Sequence, residues 1–91
     1  MKYTLQFSPR ALADLEKIKK SGDQARIKKL RQILDELTEH PLTGIGNPER
    51  LRYRTNTYSR RLSNKDRVVY SVHEVIVEVS ILQMAGHYDD K

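Results

Sequence analysis

The sequence predicts a small α+β fold of order β-α-α-β-β-β, with two N-terminal antiparallel helices packed on a small, mainly antiparallel twisted sheet. Three observations predict it. The chain opens on a segment of period two, Lys2 to Phe7. Two amphipathic segments of helical period follow, joined by Ser21-Gly22-Asp23. The remainder is a series of short β-branched and aromatic runs divided by short turns. Ninety-one residues make one domain, 1–91, able to close a single core.

In the opening strand Tyr3, Leu5 and Phe7 face one way and Thr4 and Gln6 the other. Ser8-Pro9 stops the strand and starts a helix, because serine caps a helix N-terminus well and proline suits the first helical position. Leu12, Leu15 and Ile18, with Ala11 beside them, form its inner face as far as Lys20, and Gly22 ends it. Asp23 caps a second helix whose apolar face is Ile27, Leu30, Ile33, Leu34 and Leu37. His40-Pro41 terminates it, since a residue before proline avoids helical dihedrals.

The C-terminal half supplies the sheet that this helical hairpin covers. Leu51 to Arg54 is a short extra strand candidate, and Tyr58 to Leu62 is a strand. Ser63 to Asp66 is a loop, Arg67 to Val72 a strand, His73-Glu74 a tight reversal and Val75 to Leu82 a last strand. Val75, Val77, Val79 and Ile81 share one apolar face of it. The first strand joins this sheet, as an isolated edge would be a liability. Tyr53, Tyr58 and Tyr70 at strand spacing read as cross-strand packing.

Charge is localised. Gly44 to Tyr70 holds seven basic residues (Arg50, Arg52, Arg54, Arg60, Arg61, Lys65 and Arg67) against Glu49 and Asp66, leaving +5 in a chain whose total is also +5. Arginine outnumbers lysine six to one there, which favours bidentate recognition of phosphate and makes nucleic acid the first partner class. The chain has no cysteine, which excludes disulfide and thiolate chemistry. No apolar run resembles a signal peptide or a membrane span, so the expectation is a soluble cytoplasmic protein without a membrane partner. Gly44 and Gly46 lack the third glycine and the strand-helix setting of a nucleotide-binding loop, and no histidine-carboxylate spacing calls for a metal or cofactor.

Three residues point to chemistry. Glu49 follows the turn Gly44-Ile45-Gly46-Asn47-Pro48, Arg67 begins a strand, and His87 lies just past the last one. The start of one strand and the end of another can be neighbours in an antiparallel sheet, so a carboxylate, a guanidinium and an imidazole can meet on one face. Such a set suits RNA cleavage by the RNA's own 2′-hydroxyl, which needs a base, an acid and charge stabilisation at phosphorus. Without further context Glu49 reads as a solvated loop carboxylate and His87 as an exposed residue near a chain end. His40 reads as a helix C-cap and His73 as a solvated turn residue.

The segments G-I-G-N-P-E-R-L, Y-S-R-R-L and D-R-V-V-Y-S-V and the terminal H-Y resemble the YoeB/Txe family of bacterial type II toxins, in the RelE/ParE-like superfamily. The likeness runs from the first strand through Tyr88 and is most specific from Gly44 onward. It implies a ribosome-dependent endoribonuclease that cuts mRNA in the A site and is neutralised by a YefM/Axe-like antitoxin, here expected as an acidic segment folding over the basic face. By the same resemblance Glu49 is the general base, His87 the general acid and Arg67 the transition-state stabiliser. Arg61 holds phosphate or substrate and Tyr88 lines the site. Arg60 matches the motif but alternates to the opposite face, and Arg52, Arg54 and Lys65 complete the substrate-binding set. Homodimers are common among such proteins, and nothing in the sequence fixes one. Tyr58 stands where the family usually has tryptophan, Gly86 stands where a bulkier residue is common, and Asp89-Asp90-Lys91 extends past the usual H-Y end. Two alternatives share the architecture: a non-catalytic RNA- or DNA-binding module, distinguished by intact nucleic acid, and a ParE-like inhibitor of DNA gyrase, distinguished by a supercoiling assay.

Overall fold

The computed structural model describes residues 2–86. The elements are β1 (Thr4–Phe7), α1 (Pro9–Lys20), α2 (Gln24–Glu39), β2 (Glu49–Arg50), β3 (Thr57–Arg61), β4 (Arg67–His73) and β5 (Glu78–Gln83). The five strands form one sheet in the order β1-β5-β4-β3-β2. Strand β1 runs parallel to β5 and the other neighbours are antiparallel. No helix among the described residues is long and apolar enough to cross a membrane.

The helix ends follow from local chemistry. Ser8 Oγ accepts the Ala11 amide proton at 3.0 Å and donates to the Leu82 carbonyl at 2.8 Å, so one hydroxyl caps α1 and ties it to β5. Gly22, at φ 75°, takes the chain out of α1 through the left-handed region. Asp23 caps α2 by accepting from the Arg26 amide, and His40 closes it by donating its own amide to the Glu36 carbonyl. Both helices lie on one face of the sheet. Their buried residues Ala11, Ile18, Leu30, Ile33 and Leu37 pack against Val68, Tyr70, Val72, Val79 and Ile81. Tyr58 and Tyr70, paired across β3 and β4, stack with ring centres 6.0 Å apart.

Three expectations are corrected. Leu12 is half exposed, and the buried stripe of α1 is Ala11, Asp14 and Ile18. The extra strand is Glu49–Arg50, not Leu51–Arg54. Leu51 turns inward and donates its amide to the Thr57 carbonyl, after which Arg52 to Asn56 offer no apolar residue that a sheet face would bury. The last strand begins at Glu78, because Val72 pairs with Val79 and Tyr70 with Ile81. That register is four residues further along than a reversal at His73-Glu74 would give. The even offset keeps the inward face inward. It leaves Glu74 to Val77 as the turn, with Val75 99% exposed.

The turn carries strain. Val77 sits at φ 52°, a left-handed conformation that costs a β-branched residue about 1–2 kcal/mol. Val77→Asn is therefore expected to stabilise the fold by about 1 kcal/mol. The readout is a higher urea midpoint at unchanged m-value. A lower midpoint would show that the valine's packing outweighs its backbone strain.

Candidate active site

Strand β3 sorts the basic segment by side-chain parity. Tyr58 and Arg60 point to the helices, and Thr57, Ser59 and Arg61 to the opposite face. On that opposite face Glu49 of β2 lies directly across from Ser59, and Arg67 of β4 directly across from Arg61. The Arg67 guanidinium reaches back to Ser59, its Nη1 lying 3.4 Å from Oγ as a long hydrogen bond. Directly opposed residues have Cβ atoms about 4.5–5.5 Å apart. Glu49 and Arg67 therefore flank one buried hydroxyl, and the structure brings these two expected residues together. Glu49 is exposed, and its Oε1 accepts from Asn47 Nδ2 at 3.1 Å.

Arg61 is exposed beside Arg67. Among the described residues no ion pair joins either guanidinium to a carboxylate. Like charges directly opposed on a sheet repel, and a bound phosphate removes that repulsion. Lys65 is exposed in the turn between β3 and β4, at the Arg61–Arg67 end of the pair. Arg52 and Arg54 are exposed on the loop between β2 and β3. His87 and Tyr88 lie outside the described residues.

Arg60 does not belong to this surface. It is 0% exposed. Its guanidinium donates to Glu36 Oε1 at 2.5 Å, to the carbonyls of His40, Thr43 and Ile45, and to the Tyr70 hydroxyl. Burying a guanidinium requires that its donors be met, and here the 40–45 loop and α2 meet them. Burial pushes the Tyr70 hydroxyl above its ordinary range, with Arg60 opposing, and that hydroxyl donates to the Pro41 carbonyl at 2.7 Å.

Two further carboxylates, not anticipated from the sequence, fasten the segment that leads to residue 87. Asp14 Oδ2 accepts the amides of Met84 and Ala85, at 3.0 and 3.2 Å. Asp66 Oδ1 accepts the Gly86 amide at 2.9 Å, while its Oδ2 accepts from Arg26 Nη1 at 2.7 Å and Ser63 Oγ at 3.0 Å. The Gly86 carbonyl in turn accepts the Arg67 amide at 3.1 Å, so the end of the described chain is bonded to the start of β4. The sequence carried a signal for Asp14, which stands three residues after Ala11 and four before Ile18, on the buried stripe. It carried none for the bonds of Asp66 to Arg26 and Gly86, which are remote in sequence.

A five-stranded mixed sheet covered on one face by two helices defines the fold class, which is shared with the toxin of the archaeal RelE–RelB complex from Pyrococcus horikoshii, TM-score 0.74 and 21% identity over 94% of this chain and 96% of that one. The chain is similar to YoeB of Staphylococcus aureus, solved as a dimer, with TM-score 0.82 and 31% identity covering 97% of this chain and 100% of that one. It is similar also to the S. aureus YoeB–YefM complex, with TM-score 0.77 and 30% identity over 97% of this chain and 100% of that one. Toxin YoeB of Mycobacterium bovis is 30% identical over 69 residues, 75% of this chain and 79% of that protein. The family model described as YoeB-like toxin of bacterial type II toxin-antitoxin system matches residues 7–88. The chain belongs to that family.

The Asp66 cluster has a pH signature. Burial raises the Asp66 carboxyl, but the Gly86 amide, Arg26 and Ser63 outweigh it and hold it below its ordinary 3.8. A depressed folded value adds stability at all pH above the unfolded value, and this stability is lost as pH falls through the folded value. Asp66→Ala is expected to cost about 2–3 kcal/mol at pH 7. The gap between wild type and variant should close in acid, below the ordinary carboxylate range. Urea denaturation across pH 2–7 measures this, and a gap independent of pH would remove the ionised carboxylate from the explanation.

Proposed function

We propose that this toxin is a ribosome-dependent endoribonuclease that cleaves mRNA in the A site, without a metal, by attack of a 2′-oxygen on the adjacent phosphodiester. The observation that supports this reading is the placement of Glu49 and Arg67 on either side of Ser59, on the sheet face away from the helices.

In this reading Glu49 accepts the 2′-hydroxyl proton as the new oxygen–phosphorus bond forms. Arg67 donates to the non-bridging oxygens, whose charge grows in the transition state. His87 gives its proton to the departing 5′-oxygen, and a 2′,3′-cyclic phosphate and a free 5′-hydroxyl result. Arg61, Arg52, Arg54, Lys65 and Tyr88 contact the RNA strand. Arg60 is left out of that set because its donors are engaged in the interior.

The partner proposed for the free toxin is a YefM-like antitoxin whose acidic segment covers the Arg61–Arg67 face, which both neutralises the arginines and blocks the site. Co-purification with the product of the adjacent reading frame tests it. A homodimer is the proposed assembly in the antitoxin's absence.

Primer extension on translated mRNA tests the chemistry. Glu49→Ala and His87→Ala should each slow cleavage by about 10²–10⁴-fold. Arg67→Ala should fall in the same range as loss of a fixed oxyanion donor, about 10²–10³-fold. A triple variant that cuts like wild type would end the reading.

A further inference from the structure

Strand β2 has only two residues, Glu49 paired with Ser59 and Arg50 paired with Tyr58. So short an edge ladder does not hold its own place, and something else must set the position of Glu49. On its C-terminal side Leu51 is buried and bonded to the Thr57 carbonyl. On its N-terminal side lies the run from His40 to Gly46, which has no regular secondary structure.

That run is held by two side chains from the helix side of the sheet. Glu36 Oε1 accepts the Ile45 amide at 2.9 Å and the Arg60 guanidinium. Arg60 also donates to the His40 carbonyl at 3.0 Å and the Thr43 carbonyl at 2.7 Å. The packing leaves no slack. A Cβ at Gly44 would lie 1.9 Å from Glu36 Oε1, and one at Gly46 would lie 2.8 Å from the Arg61 carbonyl oxygen. The Gly46 carbonyl then accepts the Arg61 amide at 2.6 Å, laying the loop on β3 three residues before Glu49.

We propose that Arg60 and Glu36 are positioning residues for Glu49: an ion pair between a buried guanidinium and a part-buried carboxylate, on the helix side of the sheet, fixes the 40–46 loop, and through it the carboxylate on the opposite face. The inference rests on the proposed role of Glu49. Neither residue touches RNA; both act by restricting where β2 can lie. The pair's polar bonds act alongside the burial of Pro41 and the packing of Ile45 against the core, while Leu42 stays half exposed.

The test uses the full chain and three variants. Glu36→Gln keeps an acceptor in place and should fold. Arg60→Lys keeps the charge but loses the fork, and Gly44→Ala forces the loop away from Glu36. In Glu36→Gln, exchange of the Ile45 and Arg61 amides should quicken about tenfold while that of Val72 and Val79 is unchanged, because the opening is local. The Asn47 side-chain amide and the Glu49 carboxyl carbon should shift in NMR spectra. On translated mRNA the loss should fall on kcat rather than KM, about ten- to a hundredfold. Combined with Glu49→Ala, Glu36→Gln should add no further loss. Arg60→Lys and Gly44→Ala should repeat the pattern where they fold.

Unchanged exchange and unchanged Glu49 signals would overturn the proposal, as would a loss that persists in full in the Glu49→Ala background or appears only in KM. If Glu49→Ala itself cuts like wild type, the catalytic reading of Glu49 fails. The exchange and carboxyl signals then still decide whether Arg60 and Glu36 place that residue.

Discussion

A guanidinium cannot be buried without acceptors, and the interior of this domain is built around that requirement at Arg60. Ionic groups moved from water to a low-dielectric interior incur several kcal/mol unless their hydrogen bonds are replaced. Arg60 finds five: Glu36, the Tyr70 hydroxyl and three main-chain carbonyls. The carbonyls all come from the stretch between α2 and β2, so satisfying one charge dictates the path of that stretch. Glu36 shows the same balance from the other side. Burial raises its carboxyl, yet the Ile45 amide and Arg60 outweigh burial and hold it below its ordinary range.

The side-chain period of two along β3 then divides the arginines by task. Arg60 points to the helices and Arg61 to the opposite face, one residue apart. On the helix side the positive charge is neutralised and buried. On the other side Arg61 and Arg67 face one another across the ladder, and the mutual repulsion is kept as an unfavourable term of the free protein. A small domain has little stability to offset such a term. Its retention on one face, beside Glu49, is what a phosphate-binding surface would need.

Much of this architecture is legible in the sequence, for reasons that mark the limits as well. Ser8-Pro9, Asp23 and His40-Pro41 are signals carried within a few residues, and both helices end where those signals lie. Strand β4 is likewise legible, because Val68, Tyr70 and Val72 alternate. The turn at Glu74 to Val77 is not legible in this way: Val75 and Val77 continue the alternation, and only the pairing of Tyr70 with Ile81 excludes them from the strand. Strand β2 is two residues long and has no pattern of its own. In the candidate site, Glu49 and Arg67 are named by motif resemblance, while alternation separates Arg60 from Arg61 but does not show its burial, so the sequence left Arg60 in the substrate-binding set. The bonds from Arg60 to the 40–45 loop, and from Asp66 to Gly86, join residues 15 or more positions apart, and no local pattern encodes them.

Those long-range bonds repeat one arrangement three times. Glu36 joins the Ile45 amide to Arg60, Asp66 joins the Gly86 amide to Arg26, and Asp14 joins the Met84 and Ala85 amides to Arg10. In each case an irregular segment has an amide with no ladder or helix to receive it, and a carboxylate accepts it. At Glu36 and Asp66 burial raises the carboxyl, but the amide and the guanidinium together outweigh burial and hold it below its ordinary range. Met84 lies in the core and Ile45 and Ala85 pack against it, but apolar contact alone is non-directional. Charge-assisted hydrogen bonds supply the missing restraint and bring geometric direction with them. The two segments secured in this way are the ones that run into Glu49 and toward residue 87. The division of arginines is therefore the organising feature of the fold: Arg10, Arg26 and Arg60 hold the backbone in place, which leaves Arg61 and Arg67 on the face where a phosphate can meet them.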